Sequence, residues 1–164
     1  MRASAKGRPG PKTGTISAIG VRGNAGGRFR VVTLILAEAT SIVGAAIAKA
    51  RQLDVNVSVT VCDENGRLIA FKRMDGAPAE ADRLSIGKAV ASAGTGLPSG
   101  EVEGAVHYTP VGTVIGEGRS AIYVRGGLPI FRNGKIEGAC GVAGALSHEQ
   151  EEDCARAGIA SILQ

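Results

Sequence analysis

Apolar side chains recur with a helical period between Leu34 and Leu53. At 3.6 residues per turn they fall on one stripe, which predicts an amphipathic first helix. The stripe consists of Ile42, Val43, Ala46, Ile47, Ala50 and Leu53.

The next segment changes to a period of two. Valines occupy every second position from Val55 to Val61 with polar residues between them, which predicts a half-buried strand. The following Asn65-Gly66 pair is a strong hairpin signal, so we expect Leu68 to Met74 to be the partner strand.

Asp75-Gly76-Ala77-Pro78 interrupts the pattern before a second predicted helix, from Glu80 to about Ala93. From Gly94 to Gly118 the chain is rich in glycine and holds two prolines. We expect a long loop there with little regular structure, and loops of that length in compact domains are usually functional or disordered.

Three strands and a helix complete the pattern. Asn133-Gly134 predicts a tight turn between the last two strands. Ser147 and Gln150 form a capping box that opens a final helix, which runs to about Leu163. The predicted strands are Ser120 to Val124, Leu128 to Arg132 and Lys135 to Gly144.

The resulting order is α-β-β-α-loop-β-β-β-α. Hairpin-linked strands grouped between helices predict an α+β fold, in which helices pack on an antiparallel β-sheet.

Charge divides the chain unevenly. Residues 1–30 carry seven basic side chains and no acidic one, whereas the remaining 134 residues carry 12 basic and 15 acidic ones. The first segment also has seven glycines and two prolines. We therefore predict a basic, glycine-rich disordered tail at 1–30 and a folded domain at 31–164. The alternative for the tail is an arm that contacts an acidic partner.

Composition excludes several classes of function. Aromatic residues make up 3% of the chain, which argues against a single-stranded nucleic-acid binder and predicts a core of Val, Ile, Leu and Ala. No apolar run reaches the roughly 18 residues of a membrane span, and the basic segment lacks the apolar region of a signal peptide. We expect a cytoplasmic protein with no nucleic-acid or membrane partner.

The three cysteines, Cys62, Cys140 and Cys154, are far apart and form no C-x-x-C pair. Zinc sites need ligand pairs at short spacing, so we expect buried apolar cysteines in a reducing compartment and no metal site.

Glycine is concentrated in the segment RGGLPIFRNGKIEGACGVAGA, residues 125–145. Gly138, Gly141 and Gly144 are spaced three apart along a predicted strand, which does not fit a dinucleotide-binding loop. Glycines inside a strand instead indicate bulges, or close approach of a helix, a neighbouring subunit or a ligand.

Six short motifs follow one another along the chain: Arg73-Met74-Asp75-Gly76-Ala77, Ile86-Gly87-Lys88-Ala89, Gly126-Gly127-Leu128-Pro129-Ile130, Gly138-Ala139-Cys140-Gly141-Val142, Asp153 and Ala157-Gly158. In this order they resemble the haem-degrading, GlcG/HbpS-like family. That family includes the protein of the glycolate-utilisation operon and the haem-binding C-terminal domain of the propanediol-utilisation cobalamin adenosyltransferase. The resemblance covers about Val32 to Leu163.

The resemblance implies a profilin-like α/β sandwich around an antiparallel sheet, assembled as dimers or higher homo-oligomers. Some members bind haem or iron. This chain departs from the family pattern because Ile35 replaces the helix-capping Thr before Glu38, and Ala143 replaces a Ser. It also lacks the histidine that haem-binding relatives use near the start of the first helix, so the cofactor is left unknown, with haem one option.

Polar groups beside the shared motifs are the candidate site residues. We expect a pocket at a subunit interface that binds a ligand through Arg73, Asp75, Lys88, Glu101, Glu103, Arg119, Gly126 and Gly127. For Lys88 the structural alternative is a partner carboxylate or backbone group. For Arg73 and Asp75 it is a pair that fixes the turn.

The segment Pro98 to Pro110 adds titratable groups, and His107 could act as an acid/base or a ligand. His148 is expected to be a solvated residue of the last helix.

The sequence favours a protein that binds a small anionic organic molecule, or a tetrapyrrole such as haem. One alternative is a lyase or isomerase acting on a small carboxylate or carbonyl compound, with His107, Tyr108 or Glu117 transferring the proton. A second alternative is a non-catalytic accessory protein of a metabolic operon.

Overall fold

The computed structural model describes residues 34–102, 113–115 and 119–163. The predicted tail at 1–30 lies outside these residues, as does most of the predicted loop. The elements are α1 Leu36–Gln52, β1 Ser58–Asp63, β2 Leu68–Arg73, α2 Ala81–Thr95, β3 Thr113–Ile115, β4 Arg119–Ala121, β5 Gly127–Arg132, β6 Lys135–Ala143 and α3 His148–Ala160.

Four strands form one sheet in the order β2-β1-β6-β5, and every neighbouring pair is antiparallel. β3 and β4 pair separately as a short antiparallel ribbon. The predicted α+β fold with an antiparallel sheet is therefore confirmed.

The helices cover opposite faces of the sheet. Val57, Val59 and Val61 belong to one apolar cluster with residues of α1 and α3. Cys62 and Ala139 belong to another cluster with Ala89 and Ala93 of α2. Because neighbouring side chains of a strand point to opposite faces, α1 and α3 form one outer layer and α2 the other.

β1 is more deeply buried than its alternating pattern predicts. Its polar residues Ser58 and Thr60 are as inaccessible as its valines, since they lie beneath α2. The hydroxyls of Thr60 and Ser85 are 2.9 Å apart and form a hydrogen bond between the strand and the helix. The prediction of a half-buried strand was wrong because α2 covers the polar side of β1. The helix supplies a hydrogen-bond partner to Thr60, whereas Ser58 Oγ is buried without one among the described residues.

Glycine in β6 allows the close approach of α2. A Cβ atom on Gly141 would overlap the backbone of Ser85 and Ala89. The predicted reason for this glycine, contact with another element, is confirmed, and the element is a helix.

Both predicted hairpins form, with different turns. Asn133 and Gly134 have φ values of 51° and 72°, as a two-residue type I′ turn requires. In the first hairpin only Gly66 has a positive φ, 72°, and the Asp63 amide donates to the Arg67 carbonyl. That turn is a three-residue loop, so Asn65-Gly66 predicted the hairpin correctly although its turn differs from the two-residue type.

The stretch predicted to lack regular structure contains β3. Its three residues, Thr113–Ile115, are β-branched, but a run that short shows no measurable period. The predicted strand from Ser120 to Val124 ends at Ala121, because the next amide, that of Ile122, donates to the Gly87 carbonyl of α2.

The predicted core composition is confirmed among the described residues. Their buried apolar side chains are aliphatic or Cys, and all three cysteines are buried. No helix in the described ranges is long and apolar enough to cross a membrane.

Candidate functional site

A cleft of about 570 Å³ opens between α1 and the end of β2. We call it the cationic cleft. Its lining consists of Gly44, Ile47, Arg51, Asn56, Lys72, Arg73, Met74 and Asp75.

Helical and strand periods explain why these residues meet. Gly44, Ile47 and Arg51 follow the i, i+3, i+7 spacing of one helix face. Lys72 pairs in register with Val59, whose side chain points towards α1, so Lys72 lies on the same side of the sheet. The end of β2 and the cleft-facing side of α1 thus form two walls.

The charges in the cleft are not balanced. Arg51, Lys72 and Arg73 are cations, whereas Asp75 is the one acidic residue among the described residues of the lining. Within the described part of the chain, neither Arg51 nor Lys72 makes a side-chain hydrogen bond or ion pair. Two cations without partners beside apolar side chains are suited to binding an organic anion.

Arg73 has a structural role in the same place. Its Nη2 donates to the carbonyl oxygens of Ala77 and Pro78, the second at 3.3 Å. Arg73 therefore holds the turn between β2 and α2 through backbone groups rather than through Asp75.

Lys88 lies in a second, buried cluster beside the end of β6. Its Nζ is 2.7 Å from Glu151 Oε2 and also donates to the Val142 carbonyl at 3.2 Å. Burial lowers the pKa of Lys88, and the Glu151 carboxylate opposes that shift. The side chain is 2% exposed, so it faces Glu151 and not solvent.

Glu151 connects several elements at this point. Its Oε1 accepts a hydrogen bond from the Gly144 amide at 2.8 Å. Its Oε2 lies 2.9 Å from Nδ1 of His148, whose side chain is 56% exposed. The carboxylate joins α2, the end of β6 and the first turn of α3, and its arrangement is that of a structural clamp.

Gly126 and Gly127 adjoin the same cluster. A Cβ atom on Gly126, where φ is 117°, would come within 3.0 Å of Lys88 Nζ. One on Gly127 would overlap the Lys88 carbonyl. The backbone amide of Gly127 donates a hydrogen bond to Ser99 Oγ at 2.9 Å. These glycines let the chain pass close to α2.

The structure separates the candidate residues predicted from the sequence. Arg73 and Asp75 line the cationic cleft, whereas Lys88, Gly126 and Gly127 are packed at the buried cluster. Glu101 is exposed beyond the end of α2, and the backbone of Arg119 begins β4. Glu103, His107, Tyr108 and Glu117 lie outside the described residues.

Sequence reasoning missed Gly44, Arg51 and Lys72 as cleft residues. Arg51 fits the basic last turn of a helix and Lys72 an exposed strand position, so neither stands out from ordinary surface charge. The sequence did indicate that Lys88 needs a carboxylate or backbone partner, because it lies on a packed helix face, but it did not identify Glu151.

The chain matches known proteins across both walls of the cleft. The model of one family, described as "Haem degrading protein HbpS-like", matches residues 34–160. An uncharacterised 15.0 kDa protein of the dhaT-dhaS intergenic region of Citrobacter freundii is 31% identical over 117 residues, which covers 70% of this chain and 82% of that protein.

Two solved structures have a similar fold. A double mutant of Streptomyces reticuli HbpS has a TM-score of 0.73 at 28% identity, covering 90% of this chain and 99% of that chain. A PduOC–haem complex has a TM-score of 0.66 at 27% identity, covering 79% and 95% of the two chains.

Proposed function

Because the chain belongs to the HbpS-like family, we propose that it binds a small anionic organic molecule in the cationic cleft. The observation that carries this proposal is the pair of cations on facing walls of the cleft, Arg51 and Lys72, whose side chains bind no other described residue. A volume of about 570 Å³ is within the roughly 300–1,000 Å³ of small-molecule sites.

The lining also has an apolar part. Ile47 and Met74 both pack against the main core while lining the cleft, so their positions are held by the fold. A carboxylate bound to the cations would therefore have apolar surface beside it. This combination supports an organic acid over an inorganic anion.

Haem is the more specific form of the proposal. One of the similar solved structures is a haem complex. Arg51 and Lys72 would hold the two propionates by charge-assisted hydrogen bonds. Among the described residues of the cleft lining, Met74 has the one side chain of a type that ligates haem iron. Bound haem would supply redox-active iron.

The test is a titration of the full chain with haemin, followed by absorbance and by melting temperature. The variant Arg51→Gln/Lys72→Gln should bind haemin about tenfold more weakly or worse, because each lost charge-assisted bond removes on the order of 1 kcal/mol or more. The control Arg83→Gln/Lys135→Gln removes the same charge from exposed positions of α2 and β6 and should bind as the unmodified protein does.

Equal weakening in both double variants would mean that only net charge matters, and the cleft proposal would then fail. A protein that binds neither haemin nor small organic acids would favour the accessory role.

The proton-transfer groups of the lyase or isomerase alternative lie outside the described residues, so that alternative stays a prediction from sequence. Homo-oligomer assembly and a cytoplasmic location also stay predictions.

A further inference from the structure

Gly44 is a glycine that packing does not require. It lies in the middle of α1, where glycine is less stable than alanine because it loses more backbone freedom on folding. Its φ is not positive, and a Cβ atom placed on it would meet no atom of the described residues within 4 Å. An alanine would therefore fit this helix and stabilise it.

Two other helical glycines, Gly87 and Gly158, have a packing reason. A Cβ atom on Gly87 would overlap the side chain of Ile122, and one on Gly158 would come within 2.8 Å of the Ile42 carbonyl. Gly94 of α2 is open in the same way as Gly44, but it lies at the end of its helix and away from the cationic cleft. Gly44 thus combines a mid-helix position, open space and a place on the cleft lining.

We propose that Gly44 is a specificity-determining residue, which leaves the backbone of α1 bare so that the flat apolar part of a bound organic anion can lie against it. This inference rests on the proposed function of the cleft. Ile47 and Met74 border the bare helix surface, and Arg51 lies two turns further along the same face, about 10 Å along the axis.

The placement of Gly44 and Arg51 defines the class of ligand. A carboxylate held by Arg51 brings the rest of its molecule to Gly44 only if that molecule has an extended apolar part. Aromatic or macrocyclic carboxylates meet this condition, whereas acetate and inorganic phosphate do not. A methyl group at position 44 would stand between such a flat ligand and the helix.

The experiment compares Gly44→Ala with the matched control Gly94→Ala. Gly44→Ala should raise the melting temperature of the ligand-free protein by about 2–4 °C, since it removes an unfavourable helix residue without a clash. It should weaken binding of haemin and of naphthalene-1-carboxylate about tenfold or more. Gly94→Ala should leave the affinity for both probes unchanged, and acetate should bind equally to all three proteins.

Two outcomes would overturn the inference alone. One is that Gly44→Ala binds both probes as the unmodified protein does while Arg51→Gln/Lys72→Gln does not. The other is that Gly44→Ala lowers the melting temperature, because the methyl group would then not be accommodated. If Arg51→Gln/Lys72→Gln retains full affinity, the proposed function of the cleft fails, and this inference fails with it.

Discussion

Lys88 is the largest fully buried side chain in the described part of the protein. A buried ammonium group is costly unless a carboxylate and further acceptors surround it, and Glu151 and the Val142 carbonyl supply both here. Such a pair holds the fold in one arrangement, since either charge left alone would be strongly unfavourable. The pair therefore fixes how α2 and α3 sit on the end of β6.

Removing one member of this pair should destabilise the protein severely. Lys88→Met should lower the free energy of unfolding by about 3–5 kcal/mol, because it leaves the Glu151 carboxylate buried without its cation. Urea denaturation measures the change. The double variant Lys88→Met/Glu151→Gln keeps an acceptor for the Gly144 amide and should recover most of the loss. A double variant as unstable as Lys88→Met would show that the ion pair itself is not what matters.

Among the elements, α3 and α1 differ in how their first turns are capped, and the difference follows from their local sequences. Ser147 Oγ accepts from the Gln150 amide at 3.3 Å, and Gln150 Oε1 accepts from the Ser147 amide at 3.2 Å, so the predicted capping box is confirmed. α1 has only half of this arrangement. Glu38 Oε2 accepts a hydrogen bond from the backbone amide of Ile35 at 3.2 Å. The Ile35 side chain, however, has no oxygen that could accept one from the backbone amide of Glu38.

This incomplete cap can be repaired. Ile35 is half exposed, with φ and ψ of −93° and 160°, which suit an N-cap residue. Ile35→Thr should therefore complete the box with Glu38 and raise the free energy of unfolding by about 1 kcal/mol. Ile35→Val, which has a similar shape without the hydroxyl, is the control. Equal stability of the two variants in urea denaturation would refute the expected cap.

The order and the boundaries of the elements were mostly predictable because they, too, depend on local sequence. The stripe of α1, the alternation through β1 and the Asn-Gly turns are all local signals, since each depends on residues within a few positions. The errors occurred where a distant element decided the outcome. α2 buries the polar face of β1, and a carbonyl of α2 ends β4 by accepting from the Ile122 amide.

For the whole molecule, the strand order keeps the two candidate clusters apart. α1 with the edge strand β2 forms the cationic cleft, whereas Lys88 of α2 meets Glu151 of α3 beside the end of β6. A change at the cleft should therefore alter ligand binding with little cost in stability, while a change at Lys88 should do the reverse.

The buried pair of Lys88 and Glu151 should affect how the free energy of unfolding changes with pH in the alkaline range. An ordinary lysine has a pKa of 10.5, and burial lowers that of Lys88 in the folded state. Between the lowered value and 10.5 the unfolded chain holds more protons than the folded one, so the contribution of Lys88 to stability rises with pH and is complete above 10.5. As the pH drops through the lowered pKa, this contribution of Lys88 to stability is lost.

The measurement is the free energy of unfolding from pH 8 to 10.5, for the unmodified protein and for Lys88→Met/Glu151→Gln. The difference in favour of the unmodified protein should grow with pH. A difference that stays constant or shrinks would mean that the pKa of Lys88 is not lowered in the folded state.

The amino-acid sequence by itself determined the order of the helices and of the strands other than β3, the antiparallel sheet and the aliphatic core. It also indicated a bulge or a close approach at Gly141. These follow from periodicity and turn chemistry, which depend on neighbours along the chain. Only the tertiary structure decided that Lys88 pairs with Glu151, 63 residues away, and that Arg51 shares a cleft with Lys72. A periodic pattern shows which face of an element is buried. The packing of whole elements determines which buried or charged groups meet.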